Sequence, residues 1–195
     1  SWGGYSTASI EKIASAKYAE DILNSADLGE MSVNEKENLF QENFVDVFPM
    51  ISESGEGVTG KSNNKNLENM FKMLYLNFTD LRIKQNHVDR FIEKSINQYT
   101  IDKENPKHES NVDYRKKLYQ DHPRTMYPTD KFFQQINLED VHNFYKDRFI
   151  DGGSFDFAIV GDFEFKTIEP LIEKYIGSLS DFKRDDPYID HGIRY

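Results

Sequence analysis

The sequence contains no cysteine. Disulfides, thiolate zinc sites and cysteine nucleophiles are therefore excluded together. The compartment stays open, because a chain without cysteine folds equally well in the cytosol or the periplasm. Positive charge is scarce: 24 Lys and Arg stand against 34 Asp and Glu, for a net charge of −10. A nucleic-acid partner needs a basic face, and an anionic membrane attracts basic segments, so the balance argues against both. The surplus acid serves solubility. No apolar run reaches the ~18 residues of a membrane span. No signal peptide is visible, and the opening Ser-Trp-Gly-Gly-Tyr, without a methionine, reads as excised or processed.

Catalytic signatures are also missing. The histidines are His87, His108, His122, His142 and His191. No two are close enough to form H-x-x-E-H or H-E-x-x-H on a helix, so only a metal site assembled from distant loops would remain. Each histidine is read as a surface or loop residue. No G-x-S-x-G nucleophile elbow occurs. The pairs Glu139-Asp140 and Asp185-Asp186 fit a solvated acidic face better than acid–base catalysis.

What is present is a chain of 195 residues, a length that suits one domain and buries about 70% of the surface its unfolded form exposes. Residues 1–180 read as that domain, and 181–195 as a polar tail or a linker to a following domain. After Ser9, a plausible N-cap, Ile10, Ile13, Ala14, Ala16, Ala19, Ile22 and Leu23 predict one helix, ended by Gly29. A shorter helix is expected over 34–41. Val45 to Ile51 reads as a strand, with Pro49 marking an edge or a bulge. Leu67, Met70, Phe71, Leu74 and Phe78 predict a helix, as do Val88, Phe91, Ile92, Ser95 and Tyr99. A further helix is expected over 109–119. Asn137 with Asp140 predicts a capped helix start. Phe155 to Val160 is the clearest strand signal in the chain. Ile168, Leu171, Ile172, Tyr175 and Ile176 predict a closing helix with Pro170 near its first turn. Phe132-Phe133 and Phe144-Tyr145 read as core. Helices with few strands imply an α+β domain, one sheet with helices laid across one face.

One motif competes with this reading. Gly55 to Ser62, GEGVTGKS, spells the P-loop pattern G-x-x-x-x-G-K-[ST], which would make Gly60, Lys61 and Ser62 a nucleotide site. A working P-loop needs an apolar strand before it and a helix starting at its Lys-Ser. Asp46 and Pro49 interrupt the strand, and the Asn-rich run 63–66 delays the helix to Leu67. The alternative is a β-hairpin with the glycines at its turn and Lys61 exposed.

The segment NLEDVHNFYKDRFIDGGSFDFAIVGDFEFKTIEPLIEKYIGSLS, 137–180, resembles the closing part of a domain in the insulinase/pitrilysin family of zinc metallopeptidases. GGYSTASIEKIASAKYAEDILNSADLG and VFPMISESGEGVTGKSNNKNLENMFKMLYLNFTDLRI resemble a catalytically silent domain of bacterial members. The resemblance implies a mixed, largely antiparallel sheet backed by helices, the metallohydrolase fold of the processing-peptidase type. It implies a parent with several such domains around a chamber, one of which holds zinc through H-x-x-E-H. Here the matching helix reads Lys17-Tyr18-Ala19-Glu20-Asp21. A protonated lysine cannot ligate zinc, and Asp21 alone is a poor site. The resemblance therefore implies no catalytic residue, metal or cofactor in this chain, zinc elsewhere in the parent, and a periplasmic or envelope location. The expected partners are the catalytic half of the same polypeptide, or a partner subunit, and a peptide substrate. Peptides add to sheet edges, which makes Val45, Val47, Met50 and Ile51 the candidate substrate surface. The rival functions are the nucleotide site above and a stand-alone peptidase-like interaction subunit.

Overall fold

The apolar stripe from Ile10 to Leu23 folds as three short pieces, not one helix. A 3-10 turn, Ile10–Lys12, leads into α1, Ile13–Lys17. The chain then kinks at Tyr18 (φ −108°) and continues as α2, Ala19–Asn24. Small residues explain how this bent rod fits inside the molecule. Ala14, Ala16 and Ala19 are buried beside Ile22 and Leu23, and their slight side chains let other elements approach closely. Each large apolar side chain buried there contributes roughly 1.5–3 kcal/mol.

The computed structural model describes residues 3–182 and 184–194. Beyond α2 come β1 (Asp27–Leu28), α3 (Val33–Asn43), β2 (Asp46–Ile51), β3 (Glu56–Lys61), α4 (Leu67–Thr79) and β4 (Leu81–Arg82). The remaining regular elements are mostly helices: α5 (Gln85–Lys103), α6 (His108–Leu118), α7 (Asp130–Phe133), α8 (Leu138–Phe149) and α9 (Phe165–Leu171). The class is α+β, as the sequence implies. Among the described residues the strands form two antiparallel pairs, β1 with β4 and β2 with β3, instead of a single sheet.

Local signals placed most helices well. Asn137 caps α8, its side chain accepting from the Asp140 amide at 2.9 Å. Thr129 caps α7 in the same way, a short helix the apolar pattern did not suggest. Gly29 does not end the first helical run, which stops at Asn24 with Ser25 as its C-cap; with φ +58° it turns the chain after β1 instead. Pro170 lies near the end of α9, not in its first turn. It has no N–H to donate, and the turn that follows, Ile172–Ile176, is π-wound.

The main correction concerns Phe155 to Val160. The segment is extended, and exposure alternates along it, with Phe155, Phe157 and Ile159 half-buried and Asp156, Ala158 and Val160 exposed. That is the strand pattern the sequence shows. No ladder forms, because no neighbouring strand among the described residues reaches its backbone.

The segment after Ser180, read as a tail or linker, lies against the body. The Phe182 amide donates to Asp151 Oδ1 at 2.8 Å, and Arg184 reaches Glu56 at 2.8 Å. His191 approaches the Ser6 carbonyl at 2.7 Å, and His122 approaches the His191 carbonyl at 2.9 Å.

Candidate functional site

The positions that match the family's metal-binding helix are Lys17, Glu20 and Asp21, on either side of the kink at Tyr18. Metal ligands must converge on one point. Here the three side chains enter three different environments.

Lys17 lines a cavity of about 590 Å³ with Tyr5, Glu53, Arg115 and Arg124. Burial draws its ammonium below the ordinary lysine value, the Arg115 charge adds to this, and Glu53 opposes it. Glu20 turns to the hairpin, where Oε2 accepts the Ile51 amide at 2.5 Å. Asp21 faces a cavity of about 500 Å³ floored by Tyr18, Phe91, Tyr99, Tyr127 and Phe133. Burial raises its carboxyl, Glu20 reinforces the rise, and Lys94 counters it. Burial, with Asp21 nearby, pushes the Tyr18 phenol up to about 12. Among the described residues, no group of three or more His, Cys, Asp or Glu could hold a metal ion.

Two of the histidines sit in defined packing environments. His87 is buried, not on the surface. It sits in the first turn of α5, and its Nδ1 accepts the Lys84 amide at 3.1 Å. Burial pushes it below the usual histidine value, against the pull of Asp27. His108 lies between the rings of Tyr99 and Tyr127, at 5.7 and 5.1 Å.

Gly55 to Ser62 forms the hairpin turn and β3. Gly57 pairs with Met50, Gly60 with Val47 and Lys61 with Asp46, so two of the glycines lie within the strand and not at its turn. Gly60 permits close packing, since a Cβ there would meet Met70 and Val47 at 3.3 Å. Lys61 is exposed and lies 3.4 Å from Asp46. Asn63 caps the 3-10 turn Asn64–Asn66, and α4 begins only at Leu67. A phosphate cradle is a run of amides converging ahead of a helix start, a geometry unlike a strand paired along its length.

Of the candidate substrate surface, Val45, Val47 and Ile51 are core, and only Met50 is exposed, at 44%. The edge of β2 away from β3 is occupied by α2. Asn24 donates to the Pro49 carbonyl at 3.3 Å, and Glu20 takes the Ile51 amide at 2.5 Å. Pro49 has no amide to offer. An incoming peptide strand meets these side chains instead of open backbone. Glu20 and Asn24 lie one helical turn apart, on the face of α2 that the tertiary structure packs on β2.

A denser polar site lies elsewhere. Glu56 is fully buried and accepts from the Gly4 amide at 2.7 Å, from Arg148 at 2.9 Å and from Arg184 at 2.8 Å. Arg148, also buried, and Arg184 both reach Asp186, at 2.7 and 2.6 Å. Two cations and two anions close a compact network joining β3, α8, the residue 3–7 region and the segment after Ser180.

No family model matches the chain. It is 24% identical over 169 residues to the probable zinc protease PqqL of Haemophilus influenzae, covering 83% of this chain and 17% of that protein. The crystal structure of the periplasmic protease PqqL from Escherichia coli superposes with a TM-score of 0.77 at 18% identity, over 96% of this chain and 20% of that one. The chain has the fold of the insulinase-like zinc proteases. The same fold appears in the ferredoxin protease FusC in complex with Arabidopsis ferredoxin (TM-score 0.70, 12% identity, 92% of this chain and 19% of that one). It appears again in a protease from Helicobacter pylori (TM-score 0.66, 16% identity, 96% and 45%). The chain thus spans about a fifth of the length of the PqqL proteins it matches. Among the described residues, no helix is long and apolar enough to cross a membrane.

Proposed function

We propose that this chain is a non-catalytic domain of a larger zinc-dependent metalloendopeptidase, one that packs against the catalytic half and helps to enclose a peptide substrate. The observation that carries this reading is the divergence of Lys17, Glu20 and Asp21 in a domain with an insulinase-like protease fold. Glu20 is held by the Ile51 amide, and Lys17 and Asp21 face separate cavities. The zinc, and the residues that activate water on it, belong to another domain of the parent. The cavity beside Lys17, lined by charged side chains, and the aromatic cavity beside Asp21 give this domain concave surfaces suited to peptides. A periplasmic location follows the Escherichia coli relative.

The test uses the parent polypeptide. Glu20→Gln retains a carbonyl oxygen for the Ile51 amide and removes any carboxylate chemistry. Zinc content and peptide cleavage are expected to stay at the parental level. A loss of cleavage of 100-fold or more, with Tm unchanged, would place catalysis in this chain and overturn the reading.

A further inference from the structure

The cavity of about 590 Å³ beside Lys17 gathers more positive charge than its own walls neutralise. It is bounded by the end of α1, by α6, by the 3-10 turn Pro123–Thr125 and by residues 186–194. Lys17, Arg115 and Arg124 line it. Both arginines are held by neutral groups. Arg115 Nε donates to the Thr125 carbonyl at 2.6 Å, and Arg124 donates to the Ala8 carbonyl. Among the described residues, the two terminal nitrogens of Arg115 and the ammonium of Lys17 make no hydrogen bond, and none of the three cations is ion-paired. The carboxylates of the wall are committed elsewhere. Asp186 is held by Arg148 and Arg184, and Asp190 by Arg194 at 2.7 Å. That leaves Glu53, exposed between β2 and β3, to answer three cations.

We infer that this cavity is a carboxylate site, which takes an acidic side chain or the C-terminal carboxylate of a peptide. The inference rests on the reading of this domain as part of a peptide-enclosing wall, and it names the chemistry of the peptide. Three arguments point to that ligand. A guanidinium with both terminal nitrogens unspent matches the two oxygens of a carboxylate, and a lysine beside it adds a point charge. The Lys17 ammonium is already partly withdrawn from water. A charge in that position is stabilised by an incoming anion more than a fully hydrated one would be. The space is also too large for a bare ion. A volume of about 590 Å³ lies in the range of organic-ligand pockets, and Tyr5, Ile189 and Ile193 give it apolar surface beside the charges. The net charge of −10 does not oppose this at close range, because salt screens exposed charges beyond about 8 Å at physiological strength. Contact with the three cations, and not long-range attraction, holds the carboxylate.

Fluorescence anisotropy on the zinc-bearing parent polypeptide, read in the cold before cleavage advances, tests this with three labelled peptides of one neutral sequence. One carries a single Glu and an amidated C-terminus, one a free C-terminal carboxylate and no acidic side chain, and one neither. At least one carboxylate peptide is expected to bind about tenfold more tightly than the neutral amide, and the arm that does so names the source of the carboxylate. Lys17→Met is expected to reduce the preference below about twofold without lowering Tm, while Lys17→Arg keeps it. Equal binding of all three peptides would overturn the carboxylate site and leave the peptide-enclosing reading standing. Binding of none would overturn both. A preference that survives Lys17→Met, or a Tm that falls with the preference unchanged, would make Lys17 a structural residue and overturn the assignment.

Discussion

Arg148 donates to Glu56 Oε1 at 2.9 Å, and the two side chains are 2% and 0% exposed. Glu56 opens β3 and Arg148 lies in the last turn of α8, so one ion pair joins the hairpin to that helix. Removing one partner of a buried pair leaves an uncompensated charge, at a cost of about 3–5 kcal/mol. Arg148→Met is therefore expected to lower Tm by on the order of 10 °C, measured by thermal unfolding at pH 7. A shift under about 2 °C would mean that Arg184, 2.8 Å from Glu56, compensates its charge alone.

Asp151 and Asp186 set an acid limit. Burial raises both carboxyls, but the bonds they accept outweigh burial and hold both below the ordinary 3.8. For Asp151 these come from Ser154, the Phe182 and Arg184 amides and Gly153; for Asp186, from Arg148 and Arg184. With the folded values depressed, the unfolded chain binds more protons in this range. The stabilisation is complete above the ordinary value and is lost as pH falls through 3.8 toward the depressed values. Urea unfolding at pH 5 and pH 3 is expected to show a lower midpoint at pH 3, and Asp151→Asn should reduce that difference.

Tyr145 and Tyr18 set an alkaline limit. Burial pushes both phenols up to about 12. Because the folded values are raised, their stabilisation is present below 10 and is lost as pH rises from 10 through 12. Tyr145 also donates to the Asn77 carbonyl at 3.1 Å and accepts the Leu81 amide at 3.4 Å. Tyr145→Phe is expected to cost about 1–3 kcal/mol at pH 7 by leaving these groups unpartnered. Ultraviolet titration should also lose one of the late-ionising tyrosines.

Lys61 tests the phosphate-loop spelling. Its contact with Asp46 is a surface pair at 3.4 Å, of a kind that contributes roughly 0–1 kcal/mol. Lys61→Ala is expected to change stability by less than about 1 kcal/mol, and MgATP in large excess to leave Tm unmoved in both proteins. A nucleotide site at ~1,000 times its Kd would add about 4 kcal/mol and lose it in the variant. That result would reinstate Gly60, Lys61 and Ser62 as a nucleotide site.

Much of this molecule was legible in one dimension. The spacing of Leu67, Met70, Phe71, Leu74 and Phe78 fixes α4, and Asn137 with Asp140 fixes the start of α8, because helix periodicity and capping are local. The lack of close histidines at Lys17 to Asp21 was equally plain. The kink at Tyr18 was not, since the apolar stripe runs through it and only packing decides where a helix bends. Pro170 misled for a related reason: its missing amide was evident, but its place within the helix depended on where α9 begins.

The sequence by itself determined where the longer helices lie, which residues are apolar enough for the core, and that no H-x-x-E-H or H-E-x-x-H is spelled, because those properties depend on neighbours a few residues away. The tertiary structure alone decided that Glu56, Arg148, Arg184 and Asp186 form one buried network. It alone decided that Glu20 turns to the Ile51 amide, and that Phe155 to Val160 lies extended without a ladder. Each of these depends on contacts between residues far apart in the chain, and charge pairing, burial and strand pairing at that range leave no periodic trace in the order of amino acids.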